Sequence, residues 1–210
     1  QDIEKTADLL AKKIKEILER GVELKLVAHS LGGLVVKMIM KNHENLWSKL
    51  QQRAGFKFIM AGTPWNGSYT AVKALFGKGS MAKKLSIFNR NQSRFNTIRG
   101  YQQFEGIYQM LPLDNPIMKD YESLWSKYGE ENKSWITPPK TMIADHFTSF
   151  YDKFKDFKIK DTSNIYYVQG IDIKTVDNLM YKQGWTDKRL SFREVENAGD
   201  GVKQFPAKKA

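Results

Sequence analysis

The sequence predicts an α/β fold, a mostly parallel sheet flanked by helices with a helical insertion. Three observations carry this. Short apolar runs alternate with amphipathic helical stretches at both ends of the chain, one strand turns directly into a helix at a serine, and the middle follows no strand period. At 210 residues and 24.3 kDa, with 41% hydrophobic residues, the chain can bury one sizeable core. No apolar run approaches the ~20 residues of a membrane span.

Residues 2–20 read as a helix. Ile3, Ala7, Leu10, Ile14, Ile17 and Leu18 recur at spacings of three and four, Lys5, Lys12, Lys13, Glu16 and Glu19 take the other face, and Gly21 is the stop. Leu24–Ala28 is a short, nearly continuous apolar run. Such a run suits a parallel strand covered by helices on both faces. Residues 31–41 return to helix, and Leu34, Val35, Val36, Met38, Ile39 and Met40 make it apolar nearly all round, so it should be buried. Phe56–Ala61 is a second strand. It runs into the loop Gly62-Thr63-Pro64-Trp65-Asn66-Gly67-Ser68, and a helix follows at about 69–76. Gly77 to Pro139 is irregular, with helical pieces near 93–110 and 118–128, and residues 141–156 look helical. Asn164–Val168 is a third strand and Leu190–Val195 a fourth. The expected division is a core at 1–76, an inserted lid or cap at 77–160, and a return to the core at 161–210.

The chain has no cysteine, which excludes disulfides and thiolate metal sites but fixes no compartment. Thirty-four Lys and Arg against 23 Asp and Glu give a formal charge of +11. The lysines are scattered through every helix rather than gathered in a block. That speaks for a solvated surface rather than a nucleic-acid partner, and leaves an anionic membrane surface as a candidate partner.

Chemistry concentrates in Leu26-Val27-Ala28-His29-Ser30-Leu31-Gly32-Gly33. A serine at a sharp strand-to-helix turn needs a strained backbone to project its hydroxyl, and small residues two positions to either side keep strand and helix from colliding. Ala28 and Gly32 meet that need, and Gly33 lets the helix approach the sheet. Ser30 is then the candidate nucleophile of an α/β-hydrolase. The N–H of Leu31, at the positive end of the helix, is half of an oxyanion hole. The plain alternative is a serine that caps a helix. His29 precedes the serine and should point away from it. His43 and His146 lie where ordinary surface histidines fall.

Four segments, in order, resemble the lecithin:cholesterol acyltransferase family, which includes phospholipid:diacylglycerol acyltransferases and related bacterial lipases. They are Ala28–Gly33, the strand and loop Phe58–Ser68, Met110-Leu111-Pro112, and Ala198-Gly199-Asp200-Gly201-Val202. The likeness runs from about residue 3 to 206, and Thr-Pro-Trp-Asn-Gly-Ser is its most distinctive part. It implies a Ser-Asp-His triad with a lid over an acyl-binding cleft. Ser30 would attack a lipid or other ester, and Asp200 would orient the histidine. No cofactor or metal is implied. One departure concerns the acid loop, where Gly201 meets Val202 directly and the family usually has a threonine before the valine.

The resemblance also places the catalytic histidine after the acid, yet none of the ten residues beyond Asp200 is histidine. The second oxyanion donor would come from an earlier strand. The expectation is therefore that the missing strands and histidine belong to the same parent polypeptide, with a partner chain as the lesser alternative, and that Leu24–Ala28 forms an open apolar sheet edge. The aromatics Phe88, Phe95, Tyr101, Phe104, Tyr108, Trp125 and Trp135 suit either a lid or pocket, or plain core packing. A catalytically silent binding module with the same fold is the competing reading.

Overall fold

The computed structural model describes residues 2–77, 94–126, 137–170, 173–183 and 188–199. The first helix, α1 (Ile3–Glu19), starts at Asp2, whose side chain accepts from the N–H groups of Glu4 and Lys5. Ile3, Ala7, Ala11 and Ile14 form its buried stripe. It stops where Gly21 takes a positive φ of 69°.

Strand β1 (Lys25–His29) leads into α2 (Leu31–Asn42), then α3 (Glu44–Gln51), β2 (Lys57–Ala61) and α4 (Tyr69–Leu75). With β3 (Ile165–Val168) the strands form a parallel sheet in the order β1-β2-β3. Val27 is in register with Ile59 and Tyr166, and Ala28 with Met60 and Tyr167. Every residue of α2 from Gly33 to Met40 is buried, as its all-round apolar character requires. Trp47 of α3 sets its ring edge-on to Phe56 and Phe58 at 5.6 and 5.9 Å.

Side chains alternate across a strand, so one face carries Ala28, Phe58 and Met60, all buried, and the other carries Val27, Ile59, Tyr166 and Val168. Val27 is 73% exposed, Val168 55% and Tyr166 46%. Cover on both faces of the first strand was expected. Among the described residues only one face is covered, and β1 bonds a neighbour along one edge only.

Between α4 and β3 lie helices at Arg94–Tyr101 and Glu105–Gln109, a 3-10 turn at Pro116–Lys119 and a π-helical turn at Tyr121–Ser126. A last helical run passes from Lys140–Met142 through a π-helical Ile143–Thr148 to Ser149–Phe154. Much of this stretch belongs to the main core. Tyr108, Leu111, Met118, Trp125, Phe147 and Phe150 join the same buried cluster as α1 and α2. Trp125 stacks on Phe76 at 4.9 Å and donates its indole N–H to the Met118 carbonyl. Of the aromatics singled out in sequence, Tyr108 and Trp125 are core residues, Tyr101 is half-buried and Phe104 is exposed. Phe88 and Trp135 lie outside the described residues, as does the side chain of Phe95.

The strand expected at Leu190–Val195 lies within β5 (Lys188–Gly199). It pairs antiparallel with β4 (Ile173–Gln183) in a separate two-stranded sheet. Neither β4 nor α3 stands out in the sequence. No helix among the described residues is long and apolar enough to cross a membrane.

Candidate active site

Ser30 occupies the single position between the last residue of β1 and the first of α2. To turn the chain there it adopts φ 52° and ψ −123°, and among the described residues it alone, glycines aside, has a positive φ. Such a conformation costs roughly 1–3 kcal/mol and persists only where its surroundings hold it. The holding groups are visible. The Ser30 N–H donates to the Ala61 carbonyl at the end of β2 (2.9 Å), and the Ser30 carbonyl accepts from the Gly33 N–H (3.1 Å).

A serine that merely caps a helix behaves differently. Ser68, at φ −142°, accepts from the Thr70 N–H at 3.1 Å, whereas the Ser30 side chain makes no capping hydrogen bond. Ser30 is half-buried. Leu31 opens α2, so its N–H stands at the helix terminus where amides have no intrahelical partner and developing negative charge is favoured.

The tight packing behind this corner is at Gly33, where a close approach of the helix was expected, and not at Gly32. A β-carbon on Gly32 would lie 3.6 Å from that of Ala28, an ordinary contact. A β-carbon on Gly33 would overlap the Thr63 side chain. Thr63 is fully buried, and its Oγ1 has no partner among the described residues.

Thr63 belongs to the loop Gly62–Ser68, which is pinned on several sides. Gly62 N–H donates to the Val168 carbonyl, and the Tyr167 hydroxyl donates to the Thr63 carbonyl at 3.0 Å. Ser68 N–H donates to the Met110 carbonyl (2.7 Å), and Leu113 N–H to the Asn66 carbonyl (2.8 Å). Gly67, at φ 87°, faces the Leu111–Pro112 backbone so closely that a β-carbon would overlap it. Two segments the sequence offered separately, Phe58–Ser68 and Met110–Pro112, are thus one packed unit.

Lys37 escaped the sequence reading. It is a lone charge inside the apolar run of α2, and that was the signal available. It is 1% exposed, its Nζ donates to the Trp65 carbonyl at 2.6 Å, and burial pushes its pKa down to about 7.

Asp200 lies outside the described residues, just beyond the end of β5. The histidines are not gathered at Ser30. His29 is exposed at the end of β1, His43 bonds Asp8 at 2.8 Å, and His146 lies 3.8 Å from Asp2. His43 is separated from Ser30 by the whole of α2, about 18 Å of helix. Among the described residues, no cluster of His, Cys, Asp and Glu could hold a metal ion.

The family model for lecithin:cholesterol acyltransferase matches residues 4–183, a span that contains Ser30, Leu31 and the Gly62–Ser68 loop and ends before Asp200. Searches of curated proteins and of solved structures found no match.

Proposed function

The chain belongs to the lecithin:cholesterol acyltransferase family, a family of acyltransferases and esterases acting on lipid substrates, and on that premise we propose that it is a serine hydrolase or O-acyltransferase acting through Ser30. Ser30 Oγ adds to the carbonyl carbon of a lipid-like ester as a histidine base takes its proton. The Leu31 N–H and the positive end of α2 stabilise the negative charge that develops on the carbonyl oxygen. The tetrahedral adduct collapses to an acyl-serine and releases the alcohol. Water or an acceptor alcohol then adds to the acyl group and frees Ser30. Asp200 is the proposed orienter of the histidine. Residues 77–160 are the proposed source of the cap, although Tyr108, Trp125 and Phe147 from this stretch also fill the core, and the proposed α/β-hydrolase sheet takes its strands from 1–76 and from β3.

The observation that supports this reading most is the Ser30 backbone. A strained, non-capping serine between a parallel strand and a buried helix is costly for a residue with only a structural task. What favours a catalytically silent binding module is the dispersal of the three histidines. Labelling of the intact protein with a fluorophosphonate separates the two. Covalent modification that disappears in Ser30→Ala supports the enzyme, and equal labelling of the two, or none in either, decides for the binding module.

A further inference from the structure

Lys37 lies seven residues beyond Ser30, two turns along the same side of α2. Its ammonium is buried between aromatic rings, 4.8 Å from the Trp65 centroid and 4.7 Å from that of Phe154. Three carboxylates on neighbouring elements are engaged elsewhere. Glu4 of α1 holds Lys153 and Asn42, Asp8 of α1 holds His43, and Asp152 beside Phe154 holds Lys119. Among the described residues the Trp65 carbonyl is the one hydrogen-bond partner of Lys37.

Removing an ammonium from water is costly, and methionine, of similar length and apolar, would fill the same space without that cost. The hydrogen bond to Trp65 is what the lysine adds. Two short contacts connect this bond to the turn that begins at Ser30. Trp65 N–H donates to the Thr63 carbonyl at 2.9 Å, so the two residues form one tight turn. The Thr63 side chain in turn rests against Gly33, in the first turn of α2.

We infer that Lys37 is a positioning residue for the Ser30 site: by holding the Trp65 carbonyl it keeps Thr63 seated against Gly33, and so fixes the first turn of α2, with the Leu31 N–H, relative to the end of β2. The inference rests on the reading of Ser30 as a nucleophile. A residue that only fills space would tolerate methionine with no change at Ser30.

The test uses the intact protein, with Lys37→Met and Lys37→Arg, the latter keeping a charged donor. Two quantities are read from fluorophosphonate labelling of Ser30, the rate at saturating probe and the half-saturating concentration. Lys37→Met is expected to lower the saturating rate at least 10-fold with half-saturation unchanged within twofold, and Lys37→Arg to recover part of the loss. A folded Lys37→Met that labels at the wild-type rate overturns the inference. So does a change in half-saturation alone, or equal slowing by both variants.

Amide hydrogen exchange supplies a second readout, independent of labelling. The hydrogen-bonded amides of Ser30, Gly33, Trp65 and Gly67 are expected to exchange through one common opening in the wild type, with Phe58 behaving separately. If Lys37→Met does not fold, this wild-type pattern decides, and independent opening of the loop pair and the Ser30 pair overturns the inference. If the wild type does not label, the nucleophile reading falls. Exchange in Lys37→Met then decides the positioning claim alone, with all four amides at least 10-fold faster in its favour and no change against it.

Discussion

At the scale of single residues, the corner at Ser30 stores strain that only glycine could relieve. Ser30→Gly is expected to be about 1 kcal/mol more stable than Ser30→Ala in urea unfolding, because glycine occupies φ 52° without steric cost, while both lose any covalent labelling. The adjacent glycines separate in the same assay. Gly33→Ala drives a methyl into Thr63 and is expected to cost about 1–3 kcal/mol. Gly32→Ala meets open contact distance and should be neutral or stabilising by up to about 1 kcal/mol. The pattern of small residues around Ser30 was legible because any strand-to-helix corner needs it. Which glycine is indispensable was not, because Thr63 approaches from a loop thirty residues on.

At the scale of elements, the loop Gly62–Ser68 shows how tertiary contacts fix what local sequence leaves open. Its Gly and Pro content predicts a loop, yet its shape comes from β3, α2 and the Met110–Leu113 segment, each contributing a hydrogen bond. Gly67→Ala therefore faces two penalties, a positive φ and overlap with the backbone of Leu111, which cannot rotate away as a side chain can. A loss of about 3 kcal/mol or more is expected, measured as a lower urea midpoint with an unchanged slope. Helix α1 is the opposite case. Its apolar spacing and its Gly21 stop are local signals, and its ends were legible within a residue, although Asp2, expected inside the helix, caps it instead. Helix α3 was missed because it is only eight residues long and follows α2 without a loop of its own.

At the scale of the molecule, the buried Lys37 couples stability to pH. Its pKa falls from the ordinary lysine range in the unfolded chain to about 7 in the fold, because burial disfavours the charge. Below pH 7 the lysine is charged in both states, and folding carries the full cost of burying it. Between pH 7 and the ordinary lysine range the unfolded chain holds a proton that the fold has released, so stability rises with pH. The rise is expected to be a few kcal/mol at most between pH 6.5 and 9.5, on the order of 1 kcal/mol per pH unit. Lys37→Met should flatten it in urea titrations at the two pH values.

By itself the sequence determined the alternation of helix and strand, the burial of α2 and the corner at Ser30. Each is written in a local period of apolar residues or in the small residues a sharp turn demands. The tertiary structure decided the rest. It drew Tyr108 and Trp125 of the stretch between α4 and β3 into the main core, left Val27 and Val168 exposed, paired β4 with β5 apart from the parallel sheet, and set Lys37 under the Trp65 carbonyl. The physical reason is range. Periodicity reports which side of an element is apolar, but what covers that side depends on segments tens of residues away, and apolar contact is non-directional, so no short stretch of sequence names its partner.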